Sequence, residues 1–154
     1  MNIFVTSICP ITSARFLDDK RVVKMILESA QMLSTALRYH GLNVGYKATH
    51  ANHPCNVWAR QSRANWYWLY THAVALCEEY TRRYSKVHKS QDLILELLSY
   101  QDLLPAGPRT PFVNCAANKS AGVDFKDVDN VFVAYRYYLY ARWELDKRPA
   151  TCKL

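Results

Sequence analysis

The chain has 154 residues, half of them hydrophobic, and carries a formal net charge of +7 at neutral pH. A chain of this length suits one domain and can bury roughly 70% of the surface that its unfolded form exposes. The basic excess favours an anionic partner, DNA or a nucleotide ligand, although charge alone does not separate these from RNA or a membrane surface. No apolar run approaches the roughly 20 residues of a membrane span, so no membrane contact is expected. The opening segment MNIFVTSICPITSARF lacks the features of a secretory signal, so we expect a cytoplasmic protein (host cytoplasm if phage-encoded).

The extreme N-terminus, NIFVTSI, predicts a short extended segment. The next segment, ITSARFLDDKRVVKMILESAQMLSTALRYHG, predicts one long helix over residues 11–41. Thr12 or Ser13 would cap this helix, and Gly41 would follow its last turn. A turn-rich stretch, GLNVGYKATHANH, then leads to a second long helix that begins at Pro54 and runs to about Tyr84.

The segment SQDLILELLSY predicts a shorter third helix with Ser90 as its cap. Residues 102–124 contain three prolines and two glycines, which favour a long irregular loop. We expect Asp124 to cap the last helix, FKDVDNVFVAYRYYLYARWELDK. Together these elements predict a single all-α domain over residues 1–154, compact, with three or four main helices and a long loop before the last helix.

The five cysteines are scattered along the chain and never form a CxxC pair. This spacing disfavours both a disulfide framework and a thiolate zinc site, so we expect free thiols and no cofactor. The cysteines are Cys9, Cys55, Cys77, Cys115 and Cys152.

The first long helix is apolar over most of its surface, which predicts a central and largely buried helix. One arc is polar and carries Lys20, Arg21, Lys24, Glu28, Gln31, Thr35 and Arg38. A solvated stripe would explain this arc. Glu28, however, is the only acidic residue between Asp19 and Glu78. A lone carboxylate among cations is suited to stabilising a developing sugar cation or relaying protons, so Glu28 is a candidate functional group.

The stretch KATHANHPCNVWARQSRANWYWL, Lys47–Leu69, concentrates polar groups around the start of the second helix. Two histidines three residues apart lack a third ligand nearby, so we expect no metal. Free N–H groups at a helix start favour phosphate. The candidate anion-binding residues are Lys47, His50, Asn52, His53 and Arg60. Alternatively, Asn52 and the histidines only cap the helix. We expect the tryptophans, Trp58, Trp66 and Trp68, to be core residues.

The segment LDDKRVVKMILE, Leu17–Glu28, resembles the first-helix signature of the pyrimidine-dimer DNA glycosylases of the bacteriophage endonuclease V type. In that signature an L-x-D-x-[HR] start precedes the catalytic glutamate, which lies nine residues after the aspartate; here Glu28 lies nine residues after Asp19. The pairs Tyr46–Lys47 and Arg148–Pro149 are similar as well. The pattern THxNHPxxxW is also similar to a set of phage proteins.

The resemblance implies an all-α enzyme that binds DNA and cleaves an N-glycosidic bond. It implies that Glu28 is the catalytic carboxylate, with Arg21 and Lys24 as basic neighbours. The family attacks the sugar with the α-amine of a small second residue, which is exposed when the initiator methionine is removed. Asn2 departs from this pattern because its bulk disfavours removal of Met1. We therefore predict little imine at the N-terminus and expect any trapped adduct on Lys24.

Our leading hypothesis is that a damaged or modified base leaves the DNA stack and enters a pocket lined by Glu28, His50, Asn52 and His53. Basic residues (Arg21, Lys24, Lys47 and Arg60) would hold phosphates. A rival hypothesis is a phage nucleotide-binding protein that sequesters a nucleotide signalling molecule without catalysis. A third, DNA binding without a pocket, explains the charge but leaves Glu28 without a role. The sequence leaves the oligomeric state open.

Overall fold

The computed structural model describes residues 1–146, and within them six α-helices make up most of the fold, which confirms the all-α prediction. The helices are α1 (Pro10–Arg15), α2 (Asp19–Tyr39), α3 (Pro54–Gln61), α4 (Arg63–Tyr84), α5 (Gln91–Leu97) and α6 (Val131–Leu145). Two 3₁₀ turns, Leu98–Leu103 and Lys119–Ala121, and two short strands, β1 (Ala117–Asn118) and β2 (Val123–Asp124), complete the described elements. None of the helices in residues 1–146 has the length and apolar character needed to cross a bilayer.

The prediction of one helix over residues 11–41 is wrong, because the helix is interrupted at residues 16–18, between α1 and α2. Asp18 is extended, and its carboxylate accepts a hydrogen bond from the Arg21 N–H, so α2 starts after a new N-cap. The predicted caps are wrong too: α1 follows Cys9, and the Ser13 hydroxyl instead accepts from the Thr6 N–H. Gly41 has a φ of +93° directly after the last turn of α2, as predicted.

The second predicted helix is also two helices, α3 and α4. Ser62 has an extended backbone, with φ −151° and ψ 155°, and its hydroxyl accepts from the Asn65 N–H as the cap of α4. The last helix begins later than predicted, because Asn130 rather than Asp124 caps it by accepting from two backbone N–H groups. Asp124 lies in β2, which pairs antiparallel with β1, a hairpin that was not predicted.

The core forms around α2, which packs against α3, α4 and α5 and is largely buried, as predicted. Trp58, Trp66 and Trp68 all lie in this core, which confirms their predicted role. The N-terminal segment is irregular rather than strand-like, and it is buried at Ile3, Phe4 and Val5.

Phe4 fixes the N-terminal segment against α6. Its ring stacks on Tyr138 at 5.6 Å between centroids and meets Tyr135 edge-on at 6.1 Å. The first residues of the chain therefore lie beside the first turns of α2, where Glu28 is found. The Arg148–Pro149 pair, the end of the predicted last helix, and Cys152 lie outside the described residues.

Candidate active site

Glu28 lies between two amines. Its Oε2 atom is 3.6 Å from the Met1 α-amine, and it accepts a hydrogen bond of 3.2 Å from the Asn2 backbone N–H. Its Oε1 atom is 3.7 Å from the Lys24 Nζ, one helical turn earlier. The Glu28 side chain is only 13% exposed, whereas that of Lys24 is 65% exposed. A largely buried carboxylate therefore lies close to one amine at the N-terminus and to another at the surface.

Asn2 holds the N-terminal segment in this position. Its Oδ1 atom accepts from the Ile3 and Phe4 N–H groups at 2.8 and 3.1 Å, which closes a tight turn. Its Nδ2 atom donates to the Cys115 carbonyl at 3.2 Å. Sequence reasoning considered only the bulk of Asn2 and missed this positioning role, which depends on a contact with a distant part of the chain.

A cavity of about 250 Å³ opens in front of Glu28. Its lining is strongly basic, because four cationic side chains and the Met1 α-amine accompany one carboxylate. The charged lining residues are Lys20, Arg21, Lys24, Arg142 and Glu28, and the others include Asn118 and Tyr138. This volume suits a single nucleotide unit and is too small for a stretch of duplex. The surplus of positive charge favours an anionic ligand.

Arg21 forms part of the cavity wall, but its charge is already shared. Its Nη1 atom lies 3.0 Å from Asp18 and 3.2 Å from Asp146, and Trp143 donates to the same Asp18 carboxylate at 2.8 Å. Burial alone would raise the pKa of Asp146, but the hydrogen bond and charge of Arg21 outweigh it and lower that pKa. Arg21 therefore joins α2 to the end of α6, and its role in phosphate binding stays a prediction.

Arg142, in the last helix, was not among the residues that the sequence predicted for the site. Arg142 lines the cavity, and its Nη2 atom lies 3.5 Å from Asp146. Lys20 belonged to the predicted polar arc of the first helix but not to the predicted site, and it also lines the cavity. Only the docking of α6 beside α2 brings Arg142 and Lys20 together.

The loop that precedes α3 is docked on the other half of the polar arc of α2. The Tyr46 N–H donates to the Ser34 hydroxyl at 3.1 Å, and the Thr49 N–H donates to the Thr35 hydroxyl at 3.2 Å. Gly45 has a φ of +68°, and a Cβ atom there would lie 2.3 Å from the Ser34 Oγ, so this approach requires glycine. This half of the arc is used to hold a loop.

Most of the polar groups near the start of α3 are used within the loop. His53 accepts from the Cys55 N–H through Nδ1 and is the N-cap of α3, as the capping alternative predicted. Asn56 donates to the Thr49 and His50 carbonyls. Arg60 bonds to the Ala51 carbonyl, and its guanidinium carbon lies 4.0 Å from the ring centroid of Tyr39. The remaining predicted anion-binding residues, Lys47, His50 and Asn52, are exposed.

His53 is the residue of this loop whose pKa is affected by charged groups at the Glu28 cavity. Burial lowers the pKa of His53, the positive charges of the Met1 α-amine and His50 lower it further, and Glu28 opposes them. The structure thus brings together Glu28, Lys24 and Arg21 at one cavity and places His53 within electrostatic range of it. The other four predicted residues are not among those that line the cavity: Lys47, His50, Asn52 and Arg60.

Across residues 1–146, no three histidine, cysteine, aspartate or glutamate side chains converge in a way that could hold a metal ion. His50 Nδ1 is paired with the Thr49 hydroxyl at 2.8 Å, and His53 Nδ1 is occupied by the Cys55 N–H.

Comparison with known protein families gives one result. A family model described as pyrimidine dimer DNA glycosylase matches residues 1–92, well over half of the 154-residue chain. Searches of curated proteins and of solved structures find no match. The matched region contains the N-terminal segment, Lys24, Glu28 and the loop before α3. The α6 side of the cavity, including Arg142, lies outside it.

Proposed function

We propose, from the premise that the chain belongs to the pyrimidine dimer DNA glycosylase family, that it is an enzyme that cleaves the N-glycosidic bond of a damaged or modified base in DNA. The observation that carries the proposal is the position of Glu28. A carboxylate between two amines, at the wall of a small basic cavity, is what glycosidic cleavage beside a phosphodiester requires. The carboxylate would stabilise the sugar cation, and the basic lining would bind the phosphates.

Cleavage breaks the bond between C1′ and the base nitrogen, and the bonding electrons leave with the base. Positive charge then develops on the sugar ring, as in other glycosyl transfers. Glu28 stabilises this cation, and an amine beside Glu28 in its uncharged form attacks C1′. Loss of protons from that nitrogen and opening of the ring give an imine, which water hydrolyses to release the amine.

We assign the attacking amine to Lys24, which is accessible and 3.7 Å from Glu28. The α-amine of Met1 is a second amine at 3.6 Å. If Met1 were removed, the Asn2 nitrogen, now 3.2 Å from the carboxylate, would become the free amine. In each case the Glu28 carboxylate lies close enough to the nucleophile to orient it by charge, and the Asn2 nitrogen is also hydrogen-bonded to it.

Binding to DNA extends beyond the cavity. We assign phosphate contacts to Arg21, Lys24, Lys47 and Arg60, and contacts with the edge of the extruded base to His50, Asn52 and His53. The exposure of Lys47, His50 and Asn52 supports this assignment, because a ligand can contact side chains at the surface. Because the cavity is small, only the target nucleotide enters it.

Sequestration of a nucleotide is the second candidate function. It is favoured by the form of the basic surface at Glu28, which is a small cavity rather than a broad face. A nucleotide signalling molecule would bind in such a cavity without being cleaved. This candidate needs no reactive amine, so substrate release separates the two functions.

The test measures cleavage of the N-glycosidic bond in ultraviolet-irradiated duplex DNA, undamaged duplex DNA and free nucleotides. Because a base cut from its sugar in a pyrimidine dimer stays joined to the neighbouring base by the cyclobutane ring, free base is measured by mass spectrometry after photoreversal of the dimers. Material that co-purifies with the protein is identified before and after release by heat. We expect base release from irradiated DNA and none from free nucleotides, with Glu28→Gln as the inactive control. Absence of release from any DNA, together with an intact nucleotide recovered from the protein, would replace the enzyme with the sequestering protein.

A further inference from the structure

His72 is a buried histidine that joins two helices and does not line the Glu28 cavity. It lies in the middle of α4 with 0% of its surface exposed, and its ring stacks on Trp68 with 5.2 Å between centroids. Its Nδ1 atom is 3.0 Å from the Pro10 carbonyl oxygen at the start of α1. The Trp68 Nε1 atom donates to the Ile8 carbonyl at 2.8 Å, just before the same helix. These two side chains therefore fasten α1 to α4.

The hydrogen bond to Pro10 determines which nitrogen of His72 carries the proton. Because a carbonyl oxygen only accepts hydrogen bonds, Nδ1 is the donor, and Nε2 of the neutral ring has no proton. Nε2 is buried and has no hydrogen-bond partner among residues 1–146. Protonation would place a second N–H at Nε2, where no acceptor is in position, and this costs free energy. The buried site therefore favours the neutral ring.

The charges around His72 do not offset this cost. Burial lowers the pKa of His72 from its ordinary value of 6.5 to about 4, and backbone groups at Pro10 and Ile3 oppose the effect only in part. Within the described residues, neither the Met1 α-amine nor any charged side chain of α1 or α4 contributes to this shift. The charged side chains are Arg15 on α1 and Arg63, Glu78, Glu79, Arg82 and Arg83 on α4. Neither helix therefore supplies a carboxylate that stabilises protonated His72.

α1 in turn holds the N-terminal segment through Ser13. The Ser13 hydroxyl accepts from the Thr6 N–H at 3.1 Å and donates to the Phe4 carbonyl at 3.4 Å. Phe4 has a φ of +56°, in the left-handed region that bulky side chains rarely adopt, and such a conformation persists only where its surroundings fix it. Release of α1 would remove one support of this strained residue. The same segment carries the Met1 α-amine that lies 3.6 Å from Glu28.

We propose that neutral His72 is a positioning residue for the Met1 α-amine, and that its protonation in mild acid releases α1 and frees the N-terminal segment from Glu28. The released form binds the proton with the ordinary pKa of 6.5, because water reaches the ring, whereas the closed form binds it only near pH 4. The closed form is therefore fully favoured above pH 6.5, loses stability as the pH falls from 6.5 to 4, and loses no more below that value. Neither these contacts nor their test involves DNA, so a failure here leaves the proposed function unaffected.

Hydrogen exchange measured by mass spectrometry, corrected at each pH for the intrinsic exchange rate, reports how often α1 and the N-terminal segment open. From pH 7.5 to 5, their protection should fall by roughly 30-fold, the factor set by pKa values of 6.5 and about 4. In His72→Asn, which keeps a donor for the Pro10 carbonyl but does not titrate, protection should stay nearly constant. The exposed His40→Asn is the matched control and should behave like the wild type. Protection that is independent of pH in the wild type, or that equals the protection of α2 at every pH, overturns the proposal, because α1 would then not open on its own around His72.

A second variant tests the link between α1 and the N-terminal segment without changing His72. Ser13→Ala removes the hydrogen bonds to Thr6 and Phe4, so exchange in residues 2–6 should become severalfold faster at pH 7.5. The exchange of α1 should keep its dependence on pH, since His72 still titrates. Wild-type protection of residues 2–6 in Ser13→Ala would show that α1 does not position the N-terminal segment, and this result too would overturn the proposal.

Discussion

The Glu28 cavity and the loop over residues 47–53 are both rich in polar side chains, but they use them differently. In the loop, His53 caps α3, and Asn56 and Arg60 bind loop carbonyls. In the cavity, four cationic side chains and the Met1 α-amine have only three carboxylate partners, Glu28 in the lining and Asp18 and Asp146 behind it. A polar cluster therefore indicates a ligand site when its charges exceed the partners that the protein itself supplies.

The largest effect is expected from Glu28→Gln, which keeps the shape of the side chain and removes its charge. The rate of base release should fall by on the order of 10²–10⁴, because the sugar cation loses its stabilising carboxylate. The affinity for DNA should change little, or should rise because a negative charge is removed from a polyanion site. Single-turnover release and equilibrium binding measure the two separately.

The matched loop variant for that experiment is His50→Ala. Since His50 is exposed and does not line the cavity, its loss should weaken DNA binding while release at saturating enzyme stays near the wild-type rate. A loss of rate in His50→Ala as large as in Glu28→Gln would place the chemistry in the loop. An unchanged rate in Glu28→Gln would remove Glu28 from catalysis.

The second prediction concerns the frame of the cavity. Asp18→Asn keeps the cap of α2 but removes one of the two carboxylates that hold the buried Arg21. Loss of a partner from a buried ion pair costs about 3 kcal/mol, so the free energy of unfolding in urea should fall by about that amount. The exposed Asp92→Asn is the control and should change it little. A change below about 0.5 kcal/mol, typical of a surface site, would mean that Arg21 does not depend on Asp18.

The third prediction separates the two roles of His53. His53→Ala removes the N-cap of α3 and should destabilise the protein by about 1 kcal/mol, whereas His53→Asn restores a capping oxygen and should recover most of it. Both variants should bind DNA more weakly if the imidazole touches the ligand. Wild-type affinity in His53→Asn would leave His53 as a cap only. Thermal unfolding and binding titrations give the two values.

The smallest effect is expected in the salt dependence of binding to duplex DNA. The logarithm of affinity should fall linearly with the logarithm of salt concentration, with a slope near 0.9 for each phosphate neutralised. Lys24→Gln in the cavity and Lys47→Gln in the loop should each reduce the slope by about one such step. A reduced slope in Lys24→Gln alone would restrict phosphate binding to the cavity. A flat dependence in the wild type would remove DNA as the partner.

The helical content and the core were predictable, whereas the helix breaks were not. No proline or glycine lies near Asp18 or Ser62, so the sequence contains no signal for a helix end there and predicts continuous helices. Each of these side chains instead accepts a backbone N–H three residues ahead, which starts a new helix. The last helix likewise begins after Asn130 and not after Asp124, since the Asn130 side chain accepts hydrogen bonds from two backbone N–H groups.

Within the candidate site, the pair of Glu28 and Lys24 could be predicted from the sequence, and the long-range partners of Glu28 could not. Glu28 stands out because it is the only acid in a basic stretch, and Lys24 lies one turn away on the same helix. The Met1 α-amine lies 3.6 Å from Glu28, and Arg142 lines the same cavity. Both positions depend on the packing of the N-terminal segment against α6 through Phe4, which is a long-range contact. Periodicity and local spacing carry no information about such a contact.

The most direct test of the proposed function determines which amine lies next to the sugar of the target nucleotide. Duplex DNA with one abasic site presents an aldehyde that forms an imine with a neighbouring amine, and borohydride makes that bond permanent. Peptide mapping should then find the adduct on Lys24, with the Met1 α-amine as the second site, because these two amines flank Glu28 at 3.7 and 3.6 Å. An adduct on Lys47 or on another lysine outside the cavity, or no adduct with bound DNA, would contradict the account.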